Sequence, residues 1–143
     1  MSQDCIFCKI VAGEIPCTRV YEDDHCLAFV DIGPLADGHT LLVPKKHYEA
    51  IGEMPPDEVA HLGRQIPGLA RAVQEAMGAD GLNVLQNNGR VAGQAVGHVH
   101  VHFIPRVPDD GLGYRWLAGE SDAETLERQA QAIKAKLPAE NDE

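Results

Sequence analysis

The segment that most constrains this chain is Gly97-His98-Val99-His100-Val101-His102-Phe103-Ile104-Pro105. Imidazoles and apolar side chains alternate strictly from His98 to Phe103, and a period of two belongs to an extended strand, not to a helix. Such a strand sets His98, His100 and His102 on one face, with successive Cα atoms of that face about 6.7 Å apart. Val99, Val101 and Phe103 then point the other way, toward a core. Three readings of the imidazole face stay open. It is a solvated polar surface, although serine, threonine or lysine would serve for that. It is a metal site built from all three rings. Or one ring is a nucleophile while its neighbours hold the substrate. With an unperturbed pKa of about 6.5, imidazole is mostly neutral near pH 7 and so has a lone pair to offer. A histidine can attack phosphorus, carry the phosphoryl-linked group and yield it to water.

The rest of the chain supplies a sheet around that strand. Residues 4–12 read as a short helix stopped by Gly13. Strand patterns run over 19–22, 25–32, 39–44 and 82–87, and the histidine strand covers 98–105. In the second of these, Leu27, Phe29 and Asp31 share one face and Cys26, Ala28 and Val30 the other. Val59, Leu62, Ile66, Leu69, Val73 and Met77 recur at helical steps, predicting a helix over 56–77 with Gly78 as its C-cap. Pro67 falls inside that pattern and predicts a kink or a split. Ser121-Asp122-Ala123-Glu124 reads as a capping box opening a second helix over about 121–137, with Leu126, Ala130, Ile133 and Leu137 on one face. Strands and helices do not alternate regularly. The expected fold is therefore α+β: a single domain with about five antiparallel strands, one long central helix and a C-terminal helix.

Composition excludes several classes of function. A net charge of −10, from 12 Lys+Arg against 22 Asp+Glu, repels polyanions, so neither nucleic acid nor an anionic membrane is an expected partner. A small phosphate ligand remains compatible, held by a local group of N–H donors and imidazoles. No run of 18 apolar residues exists. The opening MSQDCIFCKI has neither the basic start nor the apolar stretch of a secretory signal, so a cytoplasmic location is expected. In that setting Cys17 and Cys26 read as free thiols. Cys5-x-x-Cys8 is either a reduced pair or half of a zinc site needing two more ligands.

In combination these segments resemble the histidine triad (HIT) family. The likeness rests on His98-Val-His-Val-His-Phe-Ile104, together with Asp4-Cys-Ile-Phe-Cys-Lys-Ile10, Leu27-Ala-Phe-Val-Asp-Ile32, His39-Thr-Leu-Leu-Val-Pro-Lys-Lys-His47 and Gly93-Gln94 in the family's order. It covers about residues 4–106, which sets a HIT domain over 1–106. Residues 107–143 are similar to a C-terminal extension of many bacterial members.

The resemblance implies a nucleotide hydrolase or nucleotidyl transferase acting at the α-phosphorus of purine nucleoside phosphate conjugates through a covalent nucleotidyl-histidine. It makes His100 the nucleophile, with its other ring nitrogen fixed by a backbone carbonyl near His98. It gives His102 to a phosphate oxygen, His39 to the support of His102, and Asn87 to the phosphate and bridging oxygen. Backbone N–H groups near Gly93 and Gln94, with Ala95 and Val96 beside them, would face the same anion. Asp31 would accept both ribose hydroxyls. Ile6, Phe7, Ile10, Phe29, Ile32 and Leu41 would line the nucleoside pocket, though core packing explains the same residues. Members with a zinc ion hold it on the positions of Cys5, Cys8, His47 and His98, as a structural ion apart from the chemistry. The resemblance also implies a homodimer. One position departs from the pattern: many phosphoramidases of the family have serine after the Gly-Gln pair, and this chain has Ala95, which leaves phosphoramidase activity open. Two alternatives follow, a dinucleoside polyphosphate hydrolase and a zinc-stabilised nucleotide-binding protein with little turnover. His25 and His61 have no role in any of these and are expected at the surface.

Overall fold

The computed structural model describes residues 4–113 and 117–139. The chain divides into two compact units, 1–111 and 112–143.

The first unit is built on one antiparallel sheet. Its strands are β1 (Arg19–Glu22), β2 (Cys26–Val30), β3 (Thr40–Pro44), β4 (Gly81–Gln86) and β5 (Val101–Arg106), in the order β1-β2-β3-β5-β4. Short α1 (Ile6–Val11) and long α2 (Pro56–Met77) complete it. This is the α+β architecture that the residue patterns predict. Alternation decides which side chains meet which helix. Cys26, Ala28, Leu42, Val101 and Phe103 cluster with Leu62, Leu69 and Val73 of α2. Leu27, Phe29, Leu41 and Val43 cluster with Phe7, Cys8 and Ile10 of α1. The even-numbered histidines of β5 and its approach thus fall on the α1 side of the sheet.

Three details differ from the sequence reading. The helix α2 continues through Pro67 without a split. Proline removes the hydrogen bond to the carbonyl of Gly63 and crowds it, and a glycine there has no Cβ to add to that crowding. The buried stripe of Leu62, Leu69 and Val73 holds the two halves to one sheet face. The strand β5 begins only at Val101, because the Val99 N–H bonds to the Tyr48 carbonyl (2.8 Å) in place of a ladder partner. His98 and His100 therefore sit in an extended approach to the strand.

The second unit contains α3 (Ala123–Lys134). Its N-cap is Asp122, whose carboxylate accepts from Thr125 N–H at 2.7 Å, one residue later than the capping box predicted from Ser121.

Candidate active site

Between α1, the end of β2 and the histidine strand lies a cavity of about 290 Å³. Ile6, Phe7, Ile10, Phe29, Asp31, Ile32, Leu41, Ala95, Val96, His100 and His102 all line it. Ile32 stands on the rim, 91% exposed. The wall also includes Ile15, Pro16, Cys17 and Val30, which sequence reasoning did not single out. No periodicity marks the 15–17 loop, and Val30 belongs by alternation to the other sheet face.

The hydrogen bonds fix the tautomers of the imidazoles. The His100 Nδ1–H donates to the His98 carbonyl at 2.7 Å, which leaves the lone pair on Nε2. Phe7 packs edge-on against this ring, with centroids 5.1 Å apart. A second chain of bonds begins at the backbone. Leu35 N–H donates to His39 Nδ1 at 3.1 Å, so the proton of His39 is on Nε2. That Nε2–H donates to His102 Nδ1 at 2.9 Å, so the His102 proton is on its Nε2. This last atom is buried and has no hydrogen-bond partner among the described residues. A buried donor without an acceptor is costly, and an anion in the cavity would supply one. Adjacent rings thus present opposite faces of imidazole chemistry, a lone pair on His100 and a donor on His102, with centroids 4.8 Å apart.

Burial disfavours the charged form of His39, His98 and His102. Desolvation, helped by the neighbouring His100 and His39, pushes His102 down to about 4. Desolvation also lowers His39, against the opposing pull of Asp31. His98 is pushed down to about 4, again chiefly by desolvation. The consequence for folding has a definite sign. Below the ordinary histidine value of about 6.5 the unfolded chain takes up protons that the folded chain refuses until about pH 4, so stability falls as pH drops through that window. Each such ring contributes up to about 1.4 kcal/mol per pH unit. Urea midpoints measured from pH 7.5 to 4.5 are expected to decline, and more gently in His102→Asn; equal slopes in the two proteins would contradict this origin.

Asp31 directly follows β2. Its Oδ1 accepts from Gly33 N–H at 2.8 Å, and its Oδ2 lies 3.7 Å from His39 Nε2. The carboxylate keeps further lone pairs toward the cavity. Asn87 follows β4, and its amide packs against Gly93, where a Cβ would lie 3.4 Å from the Asn87 nitrogen. Gly93 also has φ +97°, a conformation that favours glycine. Gly93 N–H and Gln94 N–H bond inside their own loop, to the carbonyls of Arg90 (2.9 Å) and Gly89 (3.1 Å). Among the described residues, the next two amides, of Ala95 and Val96, have no such partner.

Cys5, Cys8, His47 and His98 form a separate cluster whose four ligand atoms lie within 4.8 Å of one another. Measured edges are 3.3 Å for Cys5 Sγ to His98 Nδ1, 3.3 Å for Cys8 Sγ to His47 Nδ1, 3.6 Å for Cys8 Sγ to His98 Nδ1, and 3.2 Å between the two Nδ1 atoms. A tetrahedral zinc with S and N ligands needs edges of about 3.3–3.8 Å, and these four of the six edges fall within about 0.1 Å of that range, so two thiols and two imidazoles are a donor set suited to zinc. The His98 Nε2–H donates to the Pro44 carbonyl at 2.8 Å, which turns a bare Nδ1 to the cluster. Cys5 also caps α1, accepting from Cys8 N–H at 3.3 Å.

Outside both clusters, His25 and His61 stack face to face with centroids 3.6 Å apart. His25 is exposed and His61 half-buried.

Residues 12–109 match the HIT domain family. An adenosine 5'-monophosphoramidase of Schizosaccharomyces pombe is 41% identical over 134 residues, covering 93% of this chain and 98% of the relative. An adenylylsulfatase of Arabidopsis thaliana is 46% identical over 112 residues, covering 78% of this chain and 57% of the relative. The crystal structure of a HIT family member from Bacillus subtilis superposes with a TM-score of 0.92 at 41% identity, covering 96% of this chain and 99% of that one. A zinc-bound histidine triad protein from Mycobacterium smegmatis gives a TM-score of 0.73 at 38% identity, covering 95% of this chain and all of the other.

Proposed function

The chain belongs to the HIT domain family, and on that premise we propose that it hydrolyses purine nucleoside phosphate conjugates at the α-phosphorus through a covalent nucleotidyl-His100 intermediate. The observation that carries this reading is the pairing of a lone pair on His100 with the unpartnered donor on His102 in one cavity. Relatives named as an adenosine 5'-monophosphoramidase and an adenylylsulfatase support it.

In this reading the nucleoside enters between Ile6, Phe7, Ile10 and Phe29, with Leu41 beneath and Ile32 at the mouth. Asp31 accepts the two ribose hydroxyls. His102 Nε2–H and the amides of Ala95 and Val96 take the charge that grows on the phosphoryl oxygens, and Asn87 lies beside the bridging oxygen. His100 Nε2 attacks phosphorus, and the bond to the leaving group breaks with its electron pair. Water then cleaves the phosphorus–nitrogen bond, releasing the nucleoside monophosphate and restoring His100.

The Cys5, Cys8, His47 and His98 cluster would hold a structural zinc, fastening α1 and the approach to β5 to the sheet. Four nitrogen and sulfur ligands close the coordination sphere and leave no position for substrate. The reading also includes a homodimer in the cytoplasm, for which the edge strand β4, with Val84 exposed, offers a pairing surface.

Ala95 favours a second reading of the substrate. Its methyl lines the cavity and supplies no hydroxyl to a leaving group. Anhydride conjugates, whose leaving group departs as a stable anion, need that help least.

The test is incubation with adenosine 5'-monophosphoramidate and with an acyl adenylate, following AMP by chromatography. Release of AMP from either is the expected result, and release from neither rejects the proposal. Asp31→Asn is expected to lower kcat/KM for the ribonucleotide by about tenfold, through a lost charge-assisted hydrogen bond, and to change the 2',3'-dideoxy substrate little. Equal losses on both substrates would remove Asp31 from the ribose.

A further inference from the structure

Gln94 does not reach into the cavity. Its side chain is 7% exposed and both ends of its carboxamide are occupied by the protein's own backbone. The Oε1 accepts from Gly89 N–H at 2.7 Å, and the Nε2 donates to the Glu49 carbonyl at 2.7 Å. The main chain closes the first bond into a ring, since Gln94 N–H donates to the Gly89 carbonyl at 3.1 Å. Gln94 thus pins both ends of the 89–94 loop together and then ties the loop to a different segment.

That segment, residues 48–51, makes two further bonds of the same kind. The Tyr48 carbonyl accepts from Val99 N–H at 2.8 Å, and Ile51 N–H donates to the Asn88 side-chain oxygen at 2.8 Å. Asn88 is in turn held by the amide of Gln86, which donates to its oxygen at 2.9 Å and accepts from its nitrogen at 2.7 Å. Three short bonds therefore splint one stretch of chain to both sides of the loop and to the approach of the histidine strand. The loop needs such a splint, because Gly89 and Gly93 hold its ends at φ +86° and +97° and glycines alone permit many other conformations.

We propose that Gln94 is a positioning residue for the phosphate. Its carboxamide sets the loop so that the unpartnered amides of Ala95 and Val96 stand in the cavity wall beside His100. Asn88 assists from the other side of the loop. The inference rests on the nucleotide reading above and assigns Gln94 to the scaffold of the site, away from the ligand. A loop held this way costs no reorganisation when charge develops on phosphorus.

The deciding comparison is AMP against adenosine, which share a nucleoside and differ in the phosphate. Binding of each is measured by calorimetry on wild type, Gln94→Met and Asn88→Ala, with amide hydrogen exchange of residues 89–96 alongside. Gln94→Met keeps the side chain's length and removes both bonds; Gln94→Glu keeps the acceptor for Gly89 and replaces it if the first variant fails to fold. Loss of a buried bonded pair is expected to weaken AMP by about tenfold. Adenosine affinity should stay within twofold of wild type, and the Gly89 amide should exchange faster in Gln94→Met. Unchanged AMP affinity, or AMP and adenosine weakened alike, overturns the proposal; so does unchanged exchange at Gly89 in Gln94→Met. Wild-type protein that binds neither ligand brings down the nucleotide reading and this inference together, and the wild-type arm alone reveals it.

Discussion

Replacing His100 with alanine is expected to lower kcat on adenosine 5'-monophosphoramidate by at least about 10³-fold while leaving AMP affinity within a few-fold. The split follows from where the ring sits. His100 is 4% exposed, its Nδ1–H is spent on the His98 carbonyl, and only Nε2 is left to act. In the proposed reading the nucleotide is held by other groups: the apolar wall around Phe7 and Phe29, the Asp31 carboxylate, and the donors on His102 and the loop. Removing the ring deletes the attacking atom and little of the binding surface. Steady-state turnover and calorimetry on the same preparations measure both halves. A variant that keeps turnover within about tenfold of wild type would move the nucleophile elsewhere. Trapping the intermediate in alkali-quenched wild-type protein, by mass of the His100 peptide, gives an independent reading.

Zinc binding gives the second large effect. Cys8→Ser is expected to lose the metal and to lower Tm by about 10 °C or more, because a ligand bound only by the folded chain adds its binding free energy to stability. Cys8 is the thiol through which the cluster meets both histidines, at 3.3 Å from His47 Nδ1 and 3.6 Å from His98 Nδ1. Cys17→Ser is the matched control, since Cys17 lies outside the cluster. Elemental analysis for zinc and circular dichroism melts, with and without a chelator, measure the effect. Protein that takes up no zinc on refolding in its presence, or a Cys8→Ser variant that melts with wild type, would show that the thiols serve some other purpose. Below the new Tm the chelated protein is expected to retain turnover, because no step of the proposed reaction passes through the cluster.

How far the sequence spoke depended on the range of the interaction. Period-two patterning reports only on a strand's own residues, and it marked β2 and the histidine strand with the face on which Leu27, Phe29, His100 and His102 meet α1, while short apolar runs between turn residues marked the other strands. The long helix was equally plain from Leu62, Leu69 and Val73, but its passage through Pro67 depended on packing against the sheet, which no local pattern records. Bonds that span the chain were invisible. The proton relay into His102 starts at Leu35 N–H, a backbone group with no side-chain signature. Gln94 looked like one more residue of the phosphate loop, and only its bond to Glu49, 45 residues away, shows it to be a strut. His25 and His61 read as unrelated surface rings, yet the turn before β2 carries one onto the other across the start of α2.

The strand β5 lies between β3 and β4, with a neighbour on either flank, while Asp31, Ile32 and α1 lie at strand ends and on the outer wall. In the proposed reading, reaction and recognition therefore fall to parts of the fold with very different tolerance for change. Residues at the mouth can be exchanged one by one, altering which conjugate is admitted, without disturbing the registry that aims the attacking nitrogen. A scaffold arranged in this way can drift across a range of nucleotide adducts while its bond-breaking step stays the same.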